Sequence, residues 1–147
     1  MNLHRLHVII LIGAAVLVSG VTAQDVYYRP GYEVVPATDT MNLPVLIPLS
    51  AGTIMQGETD WYYHYIPSGT ASLTTDLYWG DTSDSLSLTI IAPDGTLGPF
   101  YDSSDGVING RITLSVSRAG GLPPGTWSFR VYGEKVTGSQ VYNFFVY

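Results

Sequence analysis

The sequence contains no cysteine and is poor in basic residues and in histidine. Without cysteine, a disulfide framework, a zinc–thiolate site and a cysteine nucleophile are all excluded. Only 6 Lys and Arg residues stand against 12 Asp and Glu residues, and they form no cluster, so no nucleic-acid partner is expected. Of the 3 histidines, only His64 lies beyond the amino-terminal segment. Imidazole chemistry is therefore restricted to one residue.

The first 23 residues have the three-part pattern of a secretory signal peptide. Arg5 precedes an unbroken apolar run over 8–18, and Val21-Thr22-Ala23 provides the small residues that a signal peptidase needs. A membrane-crossing helix needs roughly 20 apolar residues, and this run is shorter. We expect cleavage after Ala23, a secreted or cell-surface protein in the extracellular space, and no stable membrane insertion afterwards. A retained membrane anchor is the alternative.

Beyond residue 23 the chain divides into an extended segment and one folded domain. Residues 24–42 contain two prolines and no regular hydrophobic period, which predicts an extended arm or linker. From residue 43 to residue 147, short apolar runs alternate with turns rich in Gly, Pro and Asp. The first run, 43–49, contains Pro44 and Pro48 and so fits only an edge strand.

Four segments of this domain alternate strictly between apolar and polar residues. They cover 72–79, 85–92, 111–117 and 126–133. Alternation with a period of two gives each strand one buried and one exposed face. With further strands predicted at 61–66 and 140–147, the pattern predicts an all-β, antiparallel β-sandwich. We expect it to be jelly-roll-like, with about seven to nine strands, and to follow a cleavable signal helix.

Several motifs follow one another in an order typical of one family of exported domains. They are Gly57-Glu58-Thr59-Asp60-Trp61-Tyr62-Tyr63, Ile66-Pro67-Ser68-Gly69-Thr70, 84–88 leading to Pro93-Asp94-Gly95-Thr96, and 124–132. In these motifs the chain resembles the bacterial and archaeal pre-peptidase C-terminal (PPC) domain, over roughly residues 45–147. His64 departs from the family, which usually has an aromatic core residue there. The resemblance implies a non-catalytic, jelly-roll-like module that binds extracellular matrix or polysaccharide, or that aids secretion and folding.

Aromatic residues form the first candidate site. If Ile66 is buried, alternation points the odd-numbered members of its strand outward, and the same parity applies to the last strand. Exposed rings on one wall would form a platform for sugar rings or for another protein. The alternative places the rings of the first strand in the core, because its alternation is weak. The predicted platform consists of Trp61, Tyr63, Tyr65, Phe145 and Tyr147.

Acidic residues near turns form the second candidate site. Calcium binds six to eight oxygen atoms, mostly from carboxylates and loop carbonyls. The family resemblance implies a calcium site in some members near the position of Glu58 and Asp60. The alternative is that these acids cap turns through hydrogen bonds to the backbone. No cofactor is required by the sequence, and calcium is the candidate. Its predicted ligands are Glu58, Asp60, Asp81, Asp84, Asp102 and Asp105.

Catalysis is not expected from this set of residues. His64 is predicted to face inward with Tyr62, which favours a half-buried structural histidine over a member of a catalytic triad. We therefore expect a secreted binding module for an extracellular polysaccharide or a protein surface. Two alternatives stay open. One is a structural subunit of a surface layer or filament, a homo-oligomer in which the arm adds a strand to its neighbour. The other is a small secreted hydrolase.

Overall fold

The computed structural model describes residues 31–37 and 50–147, which form nine strands and one short 3-10 helix. The strands are β1 (Tyr32–Pro36), β2 (Ser50–Met55), β3 (Thr59–Ile66), β4 (Ser72–Tyr78), β5 (Ser85–Ala92), β6 (Gly95–Phe100), β7 (Arg111–Arg118), β8 (Gly125–Lys135) and β9 (Ser139–Val146), and the helix is η1 (Asp102–Asp105). The predicted all-β fold is confirmed. The predicted signal helix, most of the arm and the strand predicted at 43–49 lie outside the described residues.

The strands form two antiparallel sheets with the topology of a jelly roll. The five-stranded sheet has the order β1-β7-β4-β9-β2, and the four-stranded sheet has the order β3-β8-β5-β6. Four pairs are nested along the chain: β2 with β9, β3 with β8, β4 with β7, and β5 with β6. A long hairpin rolled up on itself gives this nesting, which defines the jelly roll. Strand β1 is an addition at the edge beside β7.

The core lies between the two sheets and is built from the alternating residues of the strands. Each alternating segment buries the side chains that its pattern predicts, and the largest fully buried ones are Trp127, Tyr142, Phe129 and Phe144. Phe129 and Phe144 belong to different sheets, and their ring centroids are 5.5 Å apart. Burial of this apolar surface is the main favourable term in folding. A domain of this size can therefore fold without disulfide bonds.

Part of the predicted arm belongs to the sandwich. Residues Tyr32–Pro36 form β1, which pairs along its whole length with β7. Tyr32 is buried against Trp127, with an edge-to-face ring contact at 6.1 Å. The segment is extended, as its sequence predicts, but here it completes its own five-stranded sheet. The sequence did not indicate this strand because it is short and ends in a proline.

A polar cluster ties β1 to the turn between β5 and β6. The Tyr32 hydroxyl donates to Asp94 at 2.5 Å, and the Arg118 guanidinium forms an ion pair with the same carboxylate. The guanidinium also lies over the Tyr32 ring, 5.0 Å from its centroid. The hydrogen bond from Tyr32 and the Arg118 charge lower the pKa of Asp94. The cluster thus joins one sheet to the other at this corner.

Two further strands, β2 and β6, were not indicated by the sequence pattern. Strand β2 contains Gly52, and β6 contains Gly98-Pro99, so neither alternates in the usual way. A β-carbon at Gly52 would lie 2.6 Å from the Tyr142 ring, so the absence of a side chain there makes room for that ring.

Among the described residues, no helix is long and apolar enough to cross a membrane.

Candidate functional site

Strand β3 is an edge strand whose two faces have different surroundings. It pairs with β8 over eight consecutive residues and lies at one end of the four-stranded sheet. Ile66 is buried, and alternation places Tyr62 and His64 on the same inner side. Trp61, Tyr63 and Tyr65 point outward and are 49%, 62% and 64% exposed. We call these three residues the β3 strip. They face outward, as the alternation counted from a buried Ile66 predicts.

Polar side chains of β8 lie beside the β3 strip on the same face of the sheet. The antiparallel register places Arg130 opposite Trp61, Ser128 opposite Tyr63, and Thr126 opposite Tyr65. Directly opposite residues on one face have neighbouring side chains. Each ring of the strip therefore has a hydroxyl or a guanidinium next to it.

Arg130 is the charged group nearest the strip in this register. Its Nη2 donates a hydrogen bond to Thr89 Oγ1 at 3.2 Å. Its Nε is buried and has no hydrogen-bond partner among the described residues. Buried donors normally have a partner, so an unsatisfied one requires an explanation. This buried donor is itself out of reach of a ligand on the surface, so it is the rest of the half-buried guanidinium that lies beside the exposed indole.

The inner side of β3 contrasts with the strip because two of its polar side chains, Asp60 and Tyr62, contact the opposite sheet. The Tyr142 hydroxyl on β9 donates to Asp60 Oδ2 at 2.5 Å and lies 2.5 Å from the Tyr62 hydroxyl. Burial and the bond to Asp60 raise the pKa of Tyr142 far above its ordinary value, which keeps its proton in place. Tyr62 also packs against Phe144 at 5.2 Å. These contacts fix the strand, and with it the strip.

Two members of the predicted platform lie elsewhere. Phe145 is on β9, opposite Asp76 of β4, and Tyr147 follows the same strand. Both belong to the five-stranded sheet, whereas the strip belongs to the four-stranded sheet. The expectation of one wall with five rings is therefore wrong. Alternation shows which residues point away from the core, but it does not show which sheet carries them.

The first pair of predicted calcium ligands is engaged in turn and sheet contacts. Glu58 Oε2 accepts a hydrogen bond from the Met55 N–H at 2.7 Å, which closes the turn between β2 and β3. Asp60 accepts the bond from Tyr142 described above. The two carboxylates have different partners because Glu58 lies in the turn before β3, whereas Asp60 lies on the inner side of the strand.

The four other predicted ligands accept hydrogen bonds from loop groups. Asp81 binds the N–H and hydroxyl of Ser83, and these bonds lower its pKa. Asp84 accepts from the Thr137 N–H at 3.0 Å. Within the described ranges, no three His, Asp or Glu residues lie together so that they could hold a metal ion. Calcium binding stays a prediction.

Asp102 and Asp105 organise the loop that joins η1 to β7. Asp102 accepts from the N–H groups of Asn109, Gly110 and Arg111 at 3.0–3.2 Å. Asp105 accepts from the N–H groups of residues 107 and 113, both at 3.1 Å. A carboxylate that accepts several backbone bonds compensates for donors that the loop would otherwise leave unpaired.

His64 faces inward, as its sequence position predicts. It is half-buried and lies opposite Trp127 in the β3–β8 register. The structure also brings in residues that the sequence did not indicate as site members, namely Arg130, Ser128 and Thr126. The alternation of β8 shows that they point outward. Only the pairing of β8 with β3 places them beside the strip.

Comparison with known proteins gives limited similarity. No protein-family model matches the chain. An uncharacterized protein of Archaeoglobus fulgidus is 44% identical over 43 residues, which are 29% of this chain and 59% of that protein. The structure of the CspB protease of Clostridium perfringens is similar with a TM-score of 0.49 and 15% identity, over 65% of this chain and 24% of that one. The chain therefore matches only part of the length of each of these proteins.

Proposed function

We propose that this protein is a secreted, non-catalytic module that binds an extracellular polysaccharide through the β3 strip. The observation that carries the proposal is the row of three exposed rings on one strand, each about half or more exposed to solvent. Burying such large rings is favourable, so a row of exposed ones indicates a surface that is covered in use. The resemblance to the PPC family and the signal-like amino terminus support export and a binding role.

The geometry of the strip suits a linear chain of sugar rings. Alternate residues of a strand are about 7 Å apart, so the three rings form an evenly spaced row. The C–H groups on the face of a sugar ring pack against the negative face of an aromatic ring. Ser128, Thr126 and Arg130 lie beside the row and can bond the hydroxyl groups of the sugar. A protein partner would favour a patch with fewer polar groups at its centre.

A role without catalysis is part of the same proposal. His64 is half-buried on the inner side of β3, while the strip occupies the outer side. A sugar lying on the strip would be separated from this imidazole by the strand itself. Peptidase and glycosidase assays on the purified protein test this directly, and we expect no turnover. Activity that disappears in the variant His64→Ala would establish the hydrolase alternative instead.

The binding proposal is tested by sedimentation with insoluble polysaccharides and by glycan arrays. We expect the wild-type protein to bind and Trp61→Ala or Tyr63→Ala to lose at least tenfold in affinity. Tyr78→Ala is the matched control, because Tyr78 is also an exposed ring, at 47%, but lies on the five-stranded sheet. Equal losses in the strip variants and in the control would exclude the strip as the site. Absence of any glycan ligand would overturn the proposal.

A further inference from the structure

Among the described residues, no strand pairs with the outer edge of β3, and this strand lacks the proline, lysine and bulge that protect many such edges. The edge strands of the two described sheets are β1, β2, β3 and β6. Strand β1 has five residues and ends in proline, β2 contains Gly52, and β6 contains a glycine-proline pair. Strand β3 has eight residues, no proline or lysine, and a regular register with β8 throughout. Long, regular edges of this kind are templates for pairing with another strand.

The backbone groups on this open edge can be identified from the neighbouring turn. The Gly133 N–H donates to Glu58 O and the Gly133 carbonyl accepts from the Gly57 N–H, so both backbone groups of Gly133 point toward β3, at the register position of residue 58. Hydrogen-bonded pairs recur at every second residue of an antiparallel ladder. Even-numbered residues of β3 therefore bond to β8, and the backbone groups of Thr59, Trp61, Tyr63 and Tyr65 point to the open edge. The residues with the exposed rings are therefore also the ones whose backbone N–H and C=O groups lie at the open edge.

We propose that two copies of the chain pair antiparallel through β3, with Trp61 of each copy opposite the partner's Tyr63. A two-fold axis then passes by Tyr62, and the four odd-numbered residues of each strand form the hydrogen-bonded pairs. A two-fold interface needs a self-complementary surface, and an antiparallel edge provides one. The two four-stranded sheets become one continuous sheet, and the two β3 strips become a single patch of six rings.

A hydrogen-bond donor and acceptor on the two strands favour this register. Asp60 and His64 are the acidic and basic side chains of β3, and in this register each Asp60 lies opposite the partner's His64. These residues form non-hydrogen-bonded pairs, in which the two Cα atoms are only about 4.5 Å apart. Asp60 uses Oδ2 for the bond to Tyr142, so Oδ1 is the oxygen that would accept a hydrogen bond from the partner's imidazole. Of the two neighbouring registers, one would place Asp60 opposite the partner's Ile66 and pair Tyr63 with itself. The other would place Asp60 opposite the partner's Tyr62 and pair Trp61 with itself.

Sedimentation equilibrium of the purified protein at neutral pH tests the dimer. We expect a reversible dimer for the wild type, at least tenfold weaker association for His64→Glu, and retained association for His64→Lys. The two substitutions alter the same half-buried position and differ in the sign of the charge placed opposite the partner's Asp60. A thermal melt of each variant checks folding. A wild type that stays monomeric up to the highest soluble concentration overturns the proposal, as does an equal effect of both variants.

Cross-linking tests the register independently of charge. Because the chain lacks cysteine, an introduced thiol is unique. Paired Cα atoms about 5.5 Å apart are within disulfide reach. A mixture of Trp61→Cys and Tyr63→Cys proteins should form a disulfide-linked dimer several-fold faster than either variant alone. If Tyr63→Cys alone cross-links as fast as the mixture, the proposed register is wrong. The dimer does not depend on the glycan proposal, since neither experiment includes a ligand.

Discussion

The acidic loops and the β3 strip contain most of the candidate site residues, and they use their side chains in opposite ways. Asp102 and Asp105 together accept five hydrogen bonds from backbone N–H groups. The rings of the strip point into solvent from an edge strand. The carboxylates therefore serve the fold, whereas the rings contribute little to it.

The difference follows from what each group gains on folding. A loop leaves backbone donors unpaired, and a nearby carboxylate compensates for them at little cost. An aromatic ring gains by burial, and half or more of each strip ring stays exposed. An acid in a turn is thus weak evidence of a metal site, while a row of exposed rings is stronger evidence of a binding surface. Four substitutions test this comparison.

Asp102→Ala should have the largest effect on stability. It removes the acceptor of three backbone N–H groups, and we expect the free energy of unfolding to fall by about 3 kcal/mol. Urea denaturation measures the loss. The loss should be the same in calcium as in chelator, because the acceptor role involves no metal. A loss that occurs only in calcium would instead indicate a metal site in this loop.

Tyr142→Phe tests whether the polar groups on the inner side of β3 stabilise the fold, as the carboxylates of the acidic loops do. The substitution removes the hydroxyl between Asp60 and Tyr62 and leaves both without that partner. We expect a loss of about 2 kcal/mol in urea denaturation, because hydrogen bonds to charged groups are worth more than neutral ones. A loss below about 0.5 kcal/mol would mean that water replaces the hydroxyl and that the inner side resembles the strip.

Tyr32→Phe extends the comparison to the corner where β1 meets the other sheet. It removes the hydrogen bond to Asp94, and a loss of about 1 kcal/mol is expected at neutral pH. Burial and the neighbouring carboxylate raise the pKa of Tyr32 to about 12. The folded state thus favours the neutral phenol, so this contribution is complete below about pH 10 and is lost as the pH rises through the folded pKa. Thermal melts of both proteins should converge over that range, and a constant difference would contradict this assignment.

Tyr63→Ala should have the smallest effect on stability. The ring is 62% exposed, so we expect the free energy of unfolding to change by less than about 0.5 kcal/mol. The same variant should lose glycan binding, and the two measurements together separate a binding residue from a structural one. A loss of more than 1 kcal/mol would show that the strip stabilises the fold, and the comparison with the loops would then fail.

Much of the fold could be predicted because it depends on local alternation. Residues 85–92 alternate strictly, and Leu86, Leu88 and Ile90 are fully buried in β5, as the pattern predicts. Strand β6 could not be predicted, because Gly98 and Pro99 disrupt its pattern. Its strand character depends on pairing with β5, which is a contact between segments.

The candidate site could be predicted only in part, because alternation is local whereas sheet membership depends on contacts between segments. Burial of Ile66 fixes the facing of Trp61, Tyr63 and Tyr65, since these residues share one strand. Phe145 also occupies an odd-numbered position that alternation predicts to face away from the core, yet it belongs to the other sheet.

The sequence by itself determined the alternating strands, their buried faces and the outward facing of the rings, because side-chain alternation is a local property of an extended chain. The tertiary structure decided which strands share a sheet, and therefore which outward-facing side chains lie on the same surface. It also decided that β1 pairs with β7, that β3 is an edge strand, and that Arg130 lies beside Trp61. These facts depend on which strands pair, and strand pairing follows from burial summed over the whole core.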